Sequence, residues 1–419
     1  MSGPKSFEIS KHAVFEAYRR VKANHGAAGV DGESIELFEA DLKANLYKLW
    51  NRMSSGCYMP PPVRMVEIPK PGGRGVRILG VPTVADRVAQ TVAAMYLEPG
   101  VEKVFHPDSY GYRPGRSALD AVGVCRERCW RTDWVIDLDI QGFFDNLDHD
   151  LVLKAVAHHT NQRWILLYVQ RWLSAPLQAQ DGSLLARDRG SPQGSAISPL
   201  LANLFMHYAF DAWMAREFPA VRFERYCDDV VVHCRSEAER TRCARRSLHG
   251  WRDAGGCNCI PIRPASSTAR TEPGAAPTST PRSRFLGYGF RSRLAKARTG
   301  KYFFGFSPAI SDDAAKRMRA RIRSWRLHLR SGWTLAQLAR DINTVVRGWI
   351  NYYGRFCRSK LHASLNRIND YLVRWIVQKY KRYRGRRMRA WKALGRAARA
   401  YPRLFAHWQI AHPGPRTTG

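Results

Sequence analysis

The sequence predicts an α+β fold followed by a basic, all-helical segment. Helical periodicity and strand-like alternation are interleaved up to residue 306, and from residue 311 onward only helical periodicity remains. Hydrophobic residues make up 45% of the 419 residues, which is enough for a buried core and excludes global disorder. Residues 282–419 contain 33 basic and 4 acidic side chains, although the preceding part of the chain is nearly balanced. We therefore predict a helical N-terminal extension at 1–62, an α+β body at 63–290, a basic helical domain at 291–400 and a loose tail at 401–419.

The α+β body begins after two helices and a proline break. Apolar residues recur at helical spacing over 8–25 and 34–53, and Pro60-Pro61-Pro62 then interrupts the pattern. Further along, the patterns predict strands at 63–68 and 76–79, helices at 84–97 and 118–131, a strand at 134–140, a helix from about 148, a long helix at 198–218, a hairpin at 223–234, and strands at 285–290 and 302–306.

The C-terminal domain is predicted to contain three basic helices. Ser311 is a candidate N-cap for the first helix, and Thr334 is a candidate N-cap for a second over 335–353. The third helix covers 360–380. Trp349 and Trp375 recur at helical spacing beside isoleucines, so we expect these rings to pack in the core rather than stack on bases.

The excess of positive charge predicts a polyanionic partner. Nucleic acid is the first expectation, an anionic membrane surface is the weaker one, and a merely solvated basic surface is the alternative. The sequence contains no run of about 18 uncharged apolar residues, so we expect no membrane-spanning helix. The N-terminus lacks an apolar secretion signal, and the nine cysteines show no disulfide or zinc spacing, so we expect an intracellular, cytoplasmic protein.

Three carboxylates lie where strands should end. Asp139 is near the end of the strand at 134–140, and the pair Asp228-Asp229 is at the turn of the hairpin at 223–234. Adjacent carboxylates repel each other unless a cation is present, and two divalent ions would remove the repulsion. Oxygen ligands and substrate phosphates suit Mg²⁺. The alternative is that the aspartate pair is an ordinary turn signal.

Five motifs in order carry a resemblance to a known family. Tyr226-Cys227-Asp228-Asp229 resembles the Tyr-x-Asp-Asp box of reverse transcriptases. Asp139–Asp145, Arg189–Ser195 and Phe285-Leu286-Gly287 are similar to the first catalytic motif, the template and nucleotide-binding motif, and the primer grip of these enzymes. Val346–Tyr353 resembles the maturase domain of group II intron proteins. The chain is therefore identified as a member of the group II intron reverse transcriptase/maturase family, in the form without an endonuclease domain.

This resemblance implies a fold and a set of catalytic residues. The fold would be a right-hand polymerase, with fingers and palm at 63–290 and an α-helical thumb/maturase domain at 291–400. Asp139, Asp228 and Asp229 would form the catalytic triad and bind two Mg²⁺ ions, and the backbone carbonyl of Ile140 would add a metal ligand.

The resemblance also implies nucleotide-binding residues. Phe144 would lie under the sugar of the incoming dNTP and reject a ribose 2′-OH, unless it is an ordinary core residue. Lys70 and Arg77 would contact the triphosphate, unless the hairpin that carries them is simply solvated. Gln193 and Gly194 would approach the nascent base pair, unless they form a plain turn.

RNA contacts are expected from basic residues in both parts of the chain. The expected partners are the group II intron RNA, a template RNA and a DNA primer, whereas the sequence does not predict the oligomeric state. The candidate template and RNA contacts are Arg113, Arg116, Arg319, Arg323, Arg347, Lys379 and Arg382.

Segment 241–283 departs from the family pattern. In the family, a helix follows the hairpin, and then a strand ends in a His-Pro-x-Lys-Thr-like segment whose lysine lies near the nucleotide phosphates. Read from the third base of the present frame, the codons for 259–264 can encode His-Pro-Asp-Lys-Thr, and those for 265–271 can encode Ile-Val-Tyr-Cys-Lys-Asp. We therefore hypothesise a double frameshift, out near 241–243 and back near 281–284. As it stands, the segment should lack both the helix that covers the sheet and the lysine.

The resemblance leads to three candidate functions. The first is an RNA-directed DNA polymerase of bacterial type that also assists splicing and mobility of its intron. The second is a maturase that binds RNA but has no polymerase activity, which the unusual segment at 241–283 would favour. The third is a reverse transcriptase of another class, such as a retron or phage-defence enzyme, against which the motif at 346–353 argues.

Overall fold

A computed structural model describes residues 5–69, 75–132, 134–140, 142–254, 262–269, 283–296 and 302–413. Only the backbone is described at 139, 247–254, 262–269, 292–296 and 302–306. The chain divides into two compact units. The first combines Met1–Ala121 with Leu138–Ala265, and the second combines Val122–Asp137 with Ser266–Gly419.

Helices and strands alternate in the first two thirds of the chain, and helices dominate the last third. The helices are α1 (Lys11–Ala23), α2 (Ile35–Ala40), α3 (Leu42–Ser54), α4 (Val84–Val101), α5 (Ala118–Arg128), α6 (His149–His159), α7 (Arg163–Ser174), α8 (Ser198–Met206), α9 (Ala212–Glu217), α10 (Glu237–Ala254), α11 (Asp312–Ser324), α12 (Leu335–Tyr353), α13 (His362–Lys379) and α14 (Arg387–Ala400). The strands are β1 (Val63–Pro69), β2 (Val76–Val81), β3 (Trp134–Ile140), β4 (Leu177–Gln178), β5 (Leu184–Leu185), β6 (Arg222–Tyr226), β7 (Asp229–Cys234), β8 (Ile262–Ala269), β9 (Ser283–Phe285), β10 (Tyr288–Lys296) and β11 (Tyr302–Ile310).

Two four-stranded sheets are present in the mixed helix-and-strand part of the chain. One has the strand order β2-β1-β4-β5, in which β1 is antiparallel to β2 and parallel to β4. The other has the order β6-β7-β3-β8, and the antiparallel β6–β7 hairpin brings Tyr226 opposite Asp229. The strand patterns predicted at 63–68, 76–79, 134–140 and 223–234 are confirmed.

Two helical predictions in the first unit need correction, and one helix was missed. The helix predicted over 34–53 is two helices, because Asp41 between them leaves the helical conformation, with φ −127° and ψ 51°. The helix predicted over 198–218 is interrupted by a π-helical turn at His207–Asp211. Helix α7 was not predicted at all, although it buries an aromatic face that includes Trp164, Tyr168 and Trp172.

The prediction that the segment after the hairpin lacks its covering helix is also wrong. Helix α10 begins at Glu237 and contacts β7. The hydroxyl of Ser236 accepts a hydrogen bond from the backbone N–H of Glu239, and Cys243 is fully buried. Alanine and arginine are good helix formers, so the segment keeps its helix despite its unusual composition. The positions 255–261 and 270–282 lie outside the described residues, and the frameshift hypothesis stays a prediction.

The second unit joins a three-stranded antiparallel sheet, in the order β11-β10-β9, to helices α11–α14. Its core contains Met318 and Ile322 of α11, Ile342 and Val346 of α12, and Ile368 of α13, all at most 2% exposed. The predicted caps are confirmed, because Ser311 accepts from the backbone N–H of Ala314 and Thr334 forms a capping box with Gln337. Among the described residues, no helix has the length and apolar character required to cross a membrane.

Candidate active site

The predicted catalytic hairpin is a tight turn between β6 and β7. Cys227 adopts the left-handed conformation, with φ 60°. Asp228 is half-buried, and Asp229, the first residue of β7, is exposed. Strand β7 is the neighbour of β3, which has Asp139 as its penultimate residue and Ile140 as its last. Asp139 and Asp229 therefore lie on adjacent strands, and Asp228 immediately precedes β7. The side chain of Asp139 lies outside what the structure describes.

The turn carries a negative potential. Burial and the charge of Asp228 raise the pKa of the Cys227 thiol to about 12, so this thiol is neutral. The pKa of Tyr112 is also raised, mainly by burial and also by Asp228, whereas Arg77 opposes the shift. Arg77 is exposed on β2. The predicted triphosphate-binding residue Arg77 and the predicted metal ligand Asp228 therefore both influence the pKa of Tyr112. Lys70 lies outside the described residues.

Phe144 belongs to the first predicted motif, Asp139–Asp145, and its backbone bonds to the motif at 189–195. It is part of the 3-10 turn Phe143–Asp145, which begins three residues after the last residue of β3. Phe143 is buried and contacts the half-buried Phe144 edge to face, with ring centroids 5.3 Å apart. The carbonyl of Phe144 accepts a hydrogen bond of 2.7 Å from the backbone N–H of Ser191. Gly190, with φ 80°, has no room for a side chain, because a Cβ atom would lie 2.7 Å from the carbonyl oxygen of Asp145.

Gln193 and Gly194 are fixed against β2. The backbone N–H of Gly80 donates a hydrogen bond of 2.8 Å to the carbonyl of Gln193. Gly194 is exposed with φ 112°, and a Cβ atom there would lie 2.7 Å from the carbonyl oxygen of Gly80. The turn that was considered as the alternative is thus present, and it requires glycine for both conformational and steric reasons.

A buried polar network under this turn was missed from the sequence. Gln90 of α4 accepts hydrogen bonds from the Ser195 hydroxyl at 2.6 Å and from the Ala196 N–H at 2.8 Å. Its amide N–H donates to Asp86, one turn earlier on α4, at 2.9 Å. Asp86 also accepts from Tyr58 and Trp172, and burial raises its pKa to about 6. Two polar residues four positions apart on the buried face of an apolar helix were the available signal.

The predicted template contacts Arg113 and Arg116 differ in environment. Arg113 is buried, pairs with Glu102 at 2.7 Å, and donates to the carbonyls of His106 and Ser109. These partners favour a structural role for Arg113, because its guanidinium is directed into the protein. Arg116 is exposed, with its guanidinium 5.6 Å from the centre of the Tyr110 ring, and stays a candidate for contact with nucleic acid.

The predicted primer grip is a two-residue hairpin turn in the second unit. Leu286 and Gly287 both have positive φ, of 50° and 79°, as a type I′ turn between β9 and β10 requires. The Tyr352 hydroxyl donates to the carbonyl of Leu286 at 2.8 Å, and a side chain at Gly287 would lie 3.0 Å from the hydroxyl oxygen of Tyr353. Phe285 is buried. The motif at 346–353 therefore supports this turn.

The basic helices of the second unit expose most of the predicted RNA contacts. Arg319, Arg323, Arg347 and Arg382 are exposed. Lys379 instead donates to the carbonyls of Ser331 and Trp333, so part of its role is structural. The expectation that the tryptophans pack is confirmed for Trp375, which is 1% exposed. The half-buried ring of Trp349 stacks on that of Trp325 at 5.5 Å.

A basic cleft of about 790 Å³ lies among α11, α13 and α14. Four guanidinium groups and one carboxylate converge on it, and the carboxylate of Asp370 is 3.7 Å from Arg387. Convergence of like charges in one concave site favours occupation by an anion. The charged residues that line the cleft are Arg319, Arg367, Asp370, Arg374 and Arg387, with His362 at its edge.

Comparison with known proteins identifies the family. The family model for reverse transcriptase (RNA-dependent DNA polymerase) matches residues 68–257, and the model for the group II intron maturase-specific domain matches residues 315–394. Protein YkfC of Escherichia coli is 30% identical over 273 residues, which are 56% of this chain and 71% of that protein. The chain belongs to the group II intron reverse transcriptase/maturase family.

Other relatives of this reverse transcriptase/maturase match shorter parts. The group II intron-encoded protein LtrA of Lactococcus lactis is 29% identical over 46% of this chain and 32% of its own length. Nuclear intron maturase 1 of Arabidopsis thaliana is 31% identical over 20% of this chain and 12% of its own length. The chain thus spans less than a third of these two relatives. The reverse transcriptase match supports a polymerase fold with palm and fingers in the mixed helix-and-sheet part of the chain.

Proposed function

We propose that this reverse transcriptase/maturase is an RNA-directed DNA polymerase that extends a primer 3′-OH on an RNA template and also assists its group II intron. The observation that carries the proposal is the adjacency of β3 and β7 in one sheet, because these strands carry Asp139 and the Asp228-Asp229 pair. In this proposal 1–62 extends the fingers, 63–290 forms fingers and palm, and 291–400 forms the helical thumb/maturase domain. The loose tail expected from residue 401 is wrong for 401–413, because Phe405 and Trp408 are buried in the core of the second unit.

Two Mg²⁺ ions fit the donor set of this site. Carboxylates and a backbone carbonyl are hard oxygen ligands, which Mg²⁺ prefers. The influence of Asp228 on the Cys227 thiol indicates a negative potential that a divalent cation would offset. Asp139, Asp228, Asp229 and the carbonyl of Ile140 would hold the ions. When bound, the ions would neutralise charge on the transferring phosphoryl group and on the attacking 3′-oxygen.

The residues around this site have separate roles in the proposal. Arg77 binds the triphosphate from β2, and the exposed position of its side chain leaves it accessible. The ring of Phe144 lies under the sugar and excludes a ribose 2′-OH, and its contact with Phe143 and Ser191 fixes the backbone that carries it. Gln193 and Gly194 support the nascent base pair because their turn is anchored on Gly80.

The second unit supplies the proposed RNA-binding surface. Arg319, Arg323 and Arg347 are exposed on α11 and α12, and the basic cleft adds further guanidinium groups on α13 and α14. Arginine binds phosphate in a bidentate manner, so such a surface suits a folded RNA. The partner in this proposal is the group II intron RNA.

Primer extension tests the polymerase proposal. The wild-type protein should incorporate dNTPs on an RNA template in the presence of Mg²⁺, and Asp228→Asn should lower the rate roughly a thousandfold. Asp150→Asn is the matched control, since Asp150 is an exposed carboxylate on α6 with no place in the proposed site. Equal extension by wild type and Asp228→Asn would contradict the proposed role of the hairpin.

A second candidate function is a maturase without polymerase activity. It is favoured by the departure of segment 241–283 from the family pattern. A splicing assay with the flanking intron separates the two, since Asp228→Asn should leave splicing assistance intact. Replacement of 243–283 by the residues of the alternative frame should restore extension if the second candidate is correct for the present chain. Full extension by the present chain would exclude it.

A further inference from the structure

A fully buried arginine lies directly beneath the proposed catalytic turn. Arg225 is the penultimate residue of β6 and its side chain has no exposed surface. Its guanidinium forms a bidentate pair with Asp211, in which Nε donates to Oδ1 at 2.7 Å and Nη2 donates to Oδ2 at 2.6 Å. Asp211 is equally buried and is the last residue of the π-helical turn.

The remaining side of the guanidinium faces the turn itself. Nη1 of Arg225 donates to the backbone carbonyl of Cys227 at 3.1 Å and to Oδ1 of Asn203 at 3.0 Å. The amide of Asn203 donates in turn to the carbonyl of Gly111 at 2.5 Å. One buried side chain therefore links α8, the π-helical turn and the backbone of the hairpin.

The backbone of Arg225 is also hydrogen-bonded on both sides to the loop at 108–110. Its N–H donates to the carbonyl of Asp108 at 2.9 Å, and its carbonyl accepts from the N–H of Tyr110 at 2.8 Å. Gly111 lies so close to the hairpin that a Cβ atom there would be 2.6 Å from the backbone nitrogen of Cys227. The loop that carries Tyr112 and Arg116 is thus fixed to the hairpin at this point.

A buried ion pair is weak evidence for a role in stability, since the loss of hydration of both charges opposes their attraction. The conformation at Cys227 also opposes folding, because a left-handed backbone is unfavourable for a residue with a Cβ atom. Only a guanidinium can satisfy a carboxylate through two hydrogen bonds and still donate to a third and fourth group in one plane. We therefore expect Arg225 to fix the conformation of the turn at Cys227 rather than to add stability to the core.

We propose that Arg225, together with Asp211 and Asn203, is a positioning group that holds Cys227 in its left-handed conformation and so orients the carboxylate of Asp228. The proposal rests on the proposed function of the hairpin as the metal-binding turn. It adds a residue that reaches neither the metal nor the substrate and acts through the backbone of the turn.

The test replaces the whole pair, so that no charge is left buried alone. Arg225→Met with Asp211→Leu removes both charges, and Arg225→Lys keeps the charge but cannot form the planar set of hydrogen bonds. The matched control is Glu224→Gln with His233→Gln. This second pair is also fully buried, joins β6 to β7 on either side of the same turn, and has 2.6 Å between Nε2 and Oε2.

Alkylation of Cys227 reports the turn without requiring any activity. In the wild type Cys227 is 3% exposed, so iodoacetamide should modify its thiol slowly, as followed by mass spectrometry of its peptide. The Arg225→Met/Asp211→Leu variant should react at least about tenfold faster at Cys227, while the control pair should react like the wild type. Thermal unfolding of all variants shows whether each one is folded.

The Mg²⁺ dependence of primer extension gives the second measurement. The Arg225 variants should need about tenfold more Mg²⁺ for half-maximal rate and should have a lower kcat, with KM for dNTP little changed. The control pair should change unfolding temperature without changing the Mg²⁺ requirement. If the Arg225→Met/Asp211→Leu variant does not fold, Arg225→Lys is compared in both measurements.

The outcomes separate this proposal from the proposed function. An Arg225→Lys protein with wild-type alkylation at Cys227 and a wild-type Mg²⁺ requirement would overturn the positioning role. If the wild type fails to extend primers, the proposed function fails, and the alkylation rates alone then decide whether Arg225 fixes the turn. Faster alkylation in the control pair as well would show general loosening of the sheet and would also overturn the proposal.

Discussion

The side-chain oxygen of Gln90 accepts a hydrogen bond of 2.6 Å from the hydroxyl of Ser195. This contact joins the middle of α4 to the turn formed by Gln193 and Gly194. Asp86 sets the orientation of the Gln90 amide, because the amide N–H must face the carboxylate and leaves the oxygen for Ser195. The predicted nucleotide-binding turn therefore depends on a residue that no substrate reaches.

Removal of the Gln90 amide should loosen that turn. Gln90→Leu leaves the Ser195 hydroxyl and the Ala196 N–H without their partner, which costs about 1–3 kcal/mol of unfolding free energy. We expect KM for dNTP to rise about three- to tenfold in steady-state primer extension, with a smaller change in kcat. Thr91→Val is the control, since the Thr91 hydroxyl bonds only within α4. An unchanged KM would show that the turn does not need this support.

Substitution of Phe144 should relax sugar selection. Phe144→Val removes the ring that is proposed to lie under the sugar, and ribonucleotides should then be incorporated at least about tenfold better relative to dNTPs. Competitive incorporation of a matched dNTP and rNTP measures the ratio. Phe143→Leu is the comparison, because Phe143 is in the core and should affect stability instead. An unchanged ratio in Phe144→Val would favour the core role considered as its alternative.

The basic cleft should contribute to RNA affinity through several phosphates. Arg367→Gln with Arg374→Gln should lower the slope of log affinity against log salt by about 2 in filter binding with the intron RNA. Arg396→Gln with Arg399→Gln is the matched control, since these exposed arginines of α14 do not line the cleft. Equal losses in the two double variants would mean that only total charge matters.

A buried histidine, His407, should make the folded state less stable at acidic pH. Nε2 of His407 donates to Oδ1 of Asn369 at 2.8 Å, and complete burial lowers the pKa of His407 to about 3. In the unfolded chain the pKa is about 6.5, so below this pH the unfolded state binds a proton that the folded state does not. Stability from this group is therefore complete above pH 6.5 and falls by about 1.4 kcal/mol for each unit below it.

Urea unfolding at several pH values measures this contribution. Between pH 7 and pH 5 the wild type should lose about 2 kcal/mol more than His407→Gln, whose amide can still donate to Asn369 but cannot bind a proton. His12→Gln is the control, since His12 is exposed on α1. Parallel pH profiles for the wild type and His407→Gln would contradict the buried, neutral state.

Much of the fold was predictable because its signals are local. The hairpin at 223–234 and the caps at Ser311 and Thr334 depend on neighbouring residues, and the structure has them where the sequence predicts them. The interruption at His207–Asp211 was not predictable, because its side chains fit an α-helix equally well and the partner of Asp211, Arg225, is distant in sequence. Helix α7 was overlooked although its aromatic spacing is regular.

In the candidate site, too, local features were predictable and contacts between residues distant in sequence were not. Its acidic and glycine motifs are contiguous in sequence, so Asp228, Asp229 and Gly194 could be selected directly. The supports of the site could not, since Gln90 lies 105 residues before Ser195 and Arg225 lies 14 residues after Asp211. Arg113 was selected for its charge, and only the structure shows that its guanidinium bonds to protein groups.

The π-helical turn fixes the number of residues between α8 and α9. Such a turn holds one more residue than an α-helical turn, and each residue of a helix advances the face of the next by about 100°. Deletion of a single residue between His207 and Asp211 would let the helix from Ser198 to Glu217 become regular, but it would also rotate one half of that helix against the other. The carboxylate of Asp211 could then no longer reach Arg225 while α8 and α9 both kept their buried faces. Substitutions in this stretch can be absorbed one by one, whereas a change in its number of residues cannot.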